Sequence, residues 1–434
     1  MSNITQLLNR LVSVKPKEIS ALMISCGYFY LILCAYYIIR PIRSEMAIAN
    51  GVVNIQWLMV MTFLVLIAVT PVFGWVTTRF RTQQFLAYCT LFFASNLVIF
   101  YFLFNVDTRS IWVTRAFFIW VNVFNMFIVS LFWSFMNDVY SREQASRLFA
   151  FIAAGGTAGA ISGPIITTFL VTRLGLAPLL LISGTLLCLS VLTINWLTHW
   201  QNDEFSTEPT THTVKNRALK GSVWGGITLI LRNPYLLGIC LLIALYAISI
   251  TFIEIQQATL IERNYSDPEL RTRLFSSVDL AANVLALLLQ LFVTAHMIQK
   301  WGFRATLLFV PLGITIGFGV MTALPILGVM VAVEVFRRSG DYAIMKPTRE
   351  MLFSVVSREE KYKAKNFIDT TILRGGNMAS AFAFSGVRAL GVGAVGIAGI
   401  SVFLGLAWCA VAFLLGSEYQ RRRAGSELQN RSGV

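Results

Sequence analysis

In the stretch "VEVFRRSGDYAIMKPTRE", Glu334, Arg337, Arg338 and Asp341 stand at i, i+3, i+4 and i+7. That spacing puts all four on one face of an α-helix. The residues before them are apolar, and an ionised group in hydrocarbon costs roughly 2.5–3.5 kcal/mol even on the mildest scale. The stripe must therefore face a water-filled cavity or be neutralised across the bundle. Two chemistries fit. Arg337 and Arg338 together make a fork for an anionic group. Alternatively, Glu334 with Arg338 and Arg338 with Asp341 form an internal lock.

Other ionisable groups meet the same constraint. "ITFIEIQQATLI" carries Glu254 beside Gln256 and Gln257, where a carboxylate couples to protons or gates, or sits solvated at the interface. "NFIDTTILRGGNMA" supplies Asp369, Arg374 and Asn377, with Arg374 too deep to snorkel easily to either surface. In "AYYIIRPIRSEMA", Arg40, Arg43 and Glu45 flank Pro41, which weakens the helix by removing a backbone donor; snorkelling to the interface is the alternative for these arginines. Arg115 and Asn122, seven apart, share a face that continues to Asn125, and helix-to-helix polar contacts explain those asparagines equally well. The expected substrate contacts are Arg40, Arg43, Arg115, Asn122, Asn125, Arg337, Arg338, Tyr342, Arg374 and Asn377. The expected coupling or gating groups are Glu45, Glu254, Glu334, Asp341 and Asp369.

Familiar catalytic constellations do not assemble. The histidines are His199, His212 and His296, without HExxH spacing, and there is no GxxxxGK[ST] loop. No metal, cofactor or enzymatic activity is expected, so transport energy would come from gradients or exchange. The six cysteines lie in apolar segments without CxxC spacing and read as packing residues.

The elements that must position these groups follow from composition. The 434 residues are 56% apolar and 13% charged, with a mean hydropathy of +0.69. A bilayer-crossing helix needs roughly 20 mostly apolar residues, and twelve such segments run from 19–39 to 392–416. The split between 305–323 and 324–345 rests on Pro325. The expectation is an all-α membrane protein with twelve transmembrane helices in two six-helix pseudo-repeats. The formal charge of +14 concentrates in alternate loops, which by the positive-inside rule places both termini in the cytoplasm of a multi-pass inner (plasma) membrane protein. No nucleic-acid partner is expected; the partners are the lipid bilayer and a small anionic substrate, with the chain a monomer. The first apolar segment reads as a retained span rather than a cleaved signal.

The polar stretch 200–232 divides a six-helix bundle at 1–199 from a second at 233–418, leaving a cytoplasmic tail at 419–434. Val223, Trp224, Ile227, Ile230 and Leu231 have the spacing of an interfacial helix, although an ordinary linker fits as well. The halves echo each other at an offset of about 220 residues: "SREQASRLFAFIAAGGTAG" with "SREEKYKAKNFIDTTILRGGNMA", and Arg79 with Lys300. Parallel repeats with basic turns between spans 2/3 and 8/9 resemble the major facilitator architecture, in which substrate binds near the midplane. Gly155, Gly159 and Gly163 recur every four residues for close helix packing, and "GAISGP" resembles the core of an antiporter motif of that superfamily.

A finer resemblance lies in "SGDYAIMKPTREMLFSVVSREEKYKAKNFID". It is similar to the nucleotide transporter family, the ATP/ADP translocases of plastids and intracellular bacteria, at Tyr342, Pro347, Thr348, Arg349, Glu350, Met351, Lys361, Lys363, Lys365, Ile368 and Asp369. "YIIRPIRSE" resembles a second motif of that family, with Arg43 and Ser44 for its Lys-Asp; "SLFWSFMNDVYSREQASRLF" and "YAISITFIEI" with Glu254 resemble two more. Ala258 stands where the family has a basic residue, and Lys346 where it has Asp. The resemblance implies a secondary transporter working by alternating access that exchanges nucleotides such as ATP and ADP, or another phosphorylated organic anion. The alternatives are a proton-coupled exporter of an unrelated small molecule and a non-transporting scaffold or sensor. Lys361, Lys363 and Lys365 need no role beyond fixing topology.

Overall fold

The computed structural model describes residues 18–79, 82–107, 110–205, 230, 233–357, 360, 364–365 and 367–432, and the regular structure among them is helical throughout. In chain order the helices are α1 (Glu18–Ala49), α2 (Ile55–Arg79), α3 (Thr82–Asp107), α4 (Ile111–Val139), α5 (Arg142–Leu174), α6 (Leu176–Phe205) and α7 (Pro234–Asn264). Next come α8 (Pro268–Leu288, continuing through a π turn at Leu289–Val293 to Thr294–Lys300) and α9 (Gly302–Ala323). Helix α10 comprises Leu327–Gly340, a π turn at Asp341–Met345 and Lys346–Leu352. Helix α11 is a π turn at Ile368–Ile372 followed by Leu373–Ala389, and α12 is Ala394–Ser432. In lipid every backbone group must bond within its own segment, which is why these apolar runs are helices.

Among the described residues, ten helices are long and apolar enough to cross a membrane: α1 to α9 and α12. Helices α10 and α11 fall short of that measure, and they carry the charges of the 334–341 stripe and Arg374. Pro325 lies where the chain leaves the helix between α9 and α10, as its lack of a backbone donor demands. The expected interfacial helix within 200–232 lies almost wholly outside the described residues. Lys361 and Lys363 lie outside them too, as does the side chain of Asp369.

The chain packs as two compact units. Unit 1 comprises 1–51, 64–214 and 265–280; unit 2 comprises 52–63, 215–264 and 281–434. Each has its own apolar core. In unit 1, Tyr28, Phe117, Phe124, Phe132 and Phe135 are fully buried, with Phe29 stacked on Phe132 at 4.1 Å. In unit 2, Ile314, Phe318 and Trp408 are fully buried and Phe353 nearly so.

Small residues decide how close α1 and α5 come. A Cβ at Gly155, Gly159 or Gly163 would run into the carbonyl oxygens of Cys26, Tyr30 and Cys34, and Thr167 donates to the Ile38 carbonyl at 3.2 Å. Such a seam relies on backbone approach, since lipid provides no hydrophobic drive between helices. Gly159→Val is therefore expected to destabilise unit 1 by about 1–3 kcal/mol, the usual range for overpacking. Thermal unfolding in detergent should show a lowered midpoint, against an unchanged one for Gly319→Ala, where a Cβ meets nothing within 4 Å. Helix α5 itself starts in a capping box, Ser141 with Gln144. It turns into α6 at Gly175, whose φ of 82° suits glycine alone.

Candidate functional site

The stripe on α10 is a neutralised network. Glu334 is 0% exposed and takes Arg337 in a fork: Nε and Nη2 of Arg337 each lie 2.7 Å from its two oxygens. Nε of Arg338 lies 2.5 Å from the same carboxylate. Glu254 on α7 stands 3.8 Å from Arg337 Nη2. Asp341 pairs with Lys346 at 3.6 Å rather than with Arg338. A π turn begins at Asp341, and in it the Lys346 N–H bonds to the Asp341 carbonyl, which brings residues five apart together. Lys346 also lies 4.1 Å over the Tyr342 ring. Among the described residues, three carboxylates thus face three cations in this cluster.

The π turns of α8 and α10 brace each other. A π turn breaks the i to i+4 ladder and leaves carbonyls to be satisfied otherwise. Gln290 donates to the Tyr342 carbonyl at 3.1 Å and Thr294 to that of Ala343 at 2.9 Å, both from the α8 turn. This fixes the point at which α10 departs from α-helical geometry, beside Arg338.

Helix α11 differs in its charge balance. Arg374 is half-buried, and among the described residues no carboxylate or hydrogen-bond acceptor meets it. Asn377, three residues on and so on the same face, has a buried Oδ1 with no partner. Beside them a Cβ at Gly375 would meet nothing within 4 Å, whereas Gly376 packs on Ala247 of α7. The face thus combines a cation, an amide and open space. Ala258, which stands where the nucleotide transporter family has a basic residue, is buried.

Unit 1 shows the same division. Arg40 lies 3.7 Å from Asp279, and Arg271 lies 3.3 Å from the fully buried Glu45. Arg43 donates instead to Asn122 Oδ1 at 2.9 Å, with Phe118 beneath it, and Arg115 donates to Asn50 Oδ1 at 2.9 Å, with Trp112 beneath it. An amide holds a guanidinium in place without cancelling its charge. Asn125 is half-buried on the same helix as Asn122.

Several paired groups escape the reading of the sequence. Asp279 falls in the apolar segment that holds most of α8, so the criterion applied to Glu334 would have found it. Arg271, and the Glu18–Arg147 pair at 3.2 Å, lie at helix ends, where an interfacial location is the ordinary expectation. Their partners are 226 and 129 residues away.

Outside the spans, Glu360 ties the loop before α11 to the start of α7. Burial works to raise its carboxyl, but hydrogen bonds from Ser357 and from the Asn233 amide hold it below its ordinary value. Glu360 accepts from the Ser357 N–H at 3.0 Å and from Asn233 Nδ2 at 3.0 Å, and its own N–H donates to the Ser357 hydroxyl. A folded pKa below the unfolded value of about 4.3 gives stability that is present above that value and lost as pH falls through the folded one. Hydrogen-exchange protection at the Ser357 and Glu360 amides, corrected for intrinsic rates, is expected to fall on acidification through this range. Glu360→Ala should remove that pH dependence; a wild-type profile in the variant would refute the role of the carboxylate. Lys365 reaches Glu350 at 2.6 Å on the surface.

Comparison with known proteins agrees with this architecture. The chain is 23% identical over 335 residues to ADP,ATP carrier protein 1 of Chlamydia trachomatis, covering 69% of this chain and 63% of that one. It is 23% identical over 300 residues to ADP,ATP carrier protein 1 of Chlamydia muridarum, covering 61% and 56%. The matches thus span 56–63% of the length of these two curated relatives. A bacterial homologue of the iron transporter ferroportin superposes with a TM-score of 0.64 at 12% identity, over 94% of this chain and 99% of the other, a likeness of fold. The family model of the Major Facilitator Superfamily matches residues 18–341, and the chain belongs to that superfamily.

Proposed function

We propose that this protein is a secondary active transporter that exchanges nucleotides of the ATP and ADP kind, or another phosphorylated organic anion, by alternating access. The superfamily and the named relatives are transporters, not enzymes. The observation that carries the anion is the sorting of arginines by partner. Arg40, Arg271, Arg337 and Arg338 lie against carboxylates. Arg43 and Arg115 rest on neutral amides, and Arg374 meets no acceptor among the described residues. Cations that a protein keeps half-buried without a counter-charge attract phosphate or carboxylate. The candidate anion contacts are therefore Arg43 and Arg115 in unit 1, with Asn122 beside Arg43, and, taken by itself, Arg374 in unit 2, with Asn377 on its face. Arg337, Arg338, Glu334 and Asp341 act as a structural lock, with Glu254 at its exposed edge. The protein works in the inner (plasma) membrane with both termini cytoplasmic.

The test is uptake of labelled ATP into proteoliposomes preloaded with ADP or with buffer alone. Uptake that requires internal ADP supports nucleotide exchange. Uptake driven by a proton gradient without a counter-substrate would replace it with proton coupling. Folded protein that takes up no ATP under any of these conditions removes the nucleotide claim.

A further inference from the structure

A second group of positive charge lies in unit 2, apart from Arg374 and the α10 network. It is a cavity of about 70 Å³ where α7, α9 and α11 end and α12 begins, lined by Gln256, Thr259, Arg263, Phe384, Arg388 and Ala394 among others. About 10–15 Å³ of such volume holds one water, so there is room for several waters or one phosphate-sized group.

Its polar groups are donors in excess. Gln256 is 4% exposed, and its Nε2 has no hydrogen-bond partner. An unmet buried donor costs roughly 1–3 kcal/mol, so an acceptor in the cavity is the natural remedy. Thr259 cannot serve through its proton, which goes to the Ile255 carbonyl at 2.8 Å. Neither Arg263 nor Arg388 has a carboxylate within ion-pair distance among the described residues. Ala394 is the first residue of α12, whose N-terminal N–H groups add positive potential. Each arginine also sits in the last turn of its helix, where it complements that helix's dipole. That accounts for the charges but leaves the Gln256 donor unmet.

The surroundings are apolar. Leu260, Met321, Pro325 and Ile397 complete the wall, and Leu324, Ile326, Leu390 and Val395 nearby are exposed. A polar, cationic cleft with an apolar rim at a helix end suits an amphiphile whose phosphate enters and whose chains stay outside. We propose that Arg263, Arg388 and Gln256 form a binding site for a phosphate group, supplied by the headgroup of an anionic phospholipid, at the end of unit 2 where α12 begins.

The experiment is thermal unfolding of delipidated protein in neutral detergent, titrated separately with phosphatidylglycerol, phosphatidylcholine and inorganic phosphate. It uses wild type, Arg263→Gln/Arg388→Gln and Gln256→Met. Phosphatidylglycerol is expected to raise the wild-type midpoint saturably, with phosphatidylcholine weaker. The double variant should lose the rise, and Gln256→Met should need roughly tenfold more lipid. A rise with inorganic phosphate that the double variant abolishes would keep the site and name a free anion as its source. No rise in wild type, or an equal rise in the double variant with a wild-type midpoint before addition, would overturn the proposal.

Discussion

Arg374→Ala is expected to lower exchange of labelled ATP by about 10- to 100-fold while leaving the protein folded. A hydrogen bond to a charged group is worth about 1.5–3 kcal/mol, and each 1.4 kcal/mol is a factor of ten. Arg374 has no structural partner among the described residues to lose, so truncation deprives only the ligand. It should even relieve the protein of an uncompensated, half-buried charge. The half-saturation concentration should therefore rise while the thermal midpoint holds or increases. Arg374→Lys keeps a charge without the fork, and should recover part of the loss. Uptake by Arg374→Ala at the wild-type rate and half-saturation would show that this arginine does not touch the substrate, leaving the anion to Arg43 and Arg115.

Glu334→Gln is expected to have the opposite signature, with a large loss of stability. It removes the carboxylate that neutralises Arg337 and Arg338 at once, and breaking a buried ion pair from one side typically costs about 3–5 kcal/mol. Thermal unfolding should show a strongly lowered midpoint, or expression should fail. Glu334→Gln/Arg338→Gln provides the control that keeps the idea testable. With one cation removed alongside the carboxylate, Arg337 retains Glu254 at 3.8 Å, and the double variant should be more stable than Glu334→Gln alone. A Glu334→Gln protein that unfolds at the wild-type temperature, or a double variant no better than the single, would rule out the lock. The pair of experiments separates arginines that hold the bundle together from arginines that hold the ligand. Residue type and span position cannot separate them.

The α10 stripe was legible because helical periodicity is local: positions 334, 337, 338 and 341 share a face whatever surrounds them. The glycines at 155, 159 and 163 were legible for the same reason. The Asp341–Lys346 pair was not legible, because it rests on a π turn that brings residues five apart together, and no residue in "DYAIM" announces that turn. Asp279 and Arg271 were passed over although they pair with Arg40 and Glu45. The contacts join α1 to α8 across more than 200 residues of chain.

The sequence by itself determined that this is a helical membrane protein, with costly charges on α1, α4, α7, α10 and α11. It could do so because lipid permits few backbone solutions and makes each buried charge conspicuous. Only the tertiary structure decided which of those charges are cancelled. Whether a guanidinium meets a carboxylate, an amide or open space depends on which helix packs beside it, and at these depths a few ångströms separate a lock from a binding site.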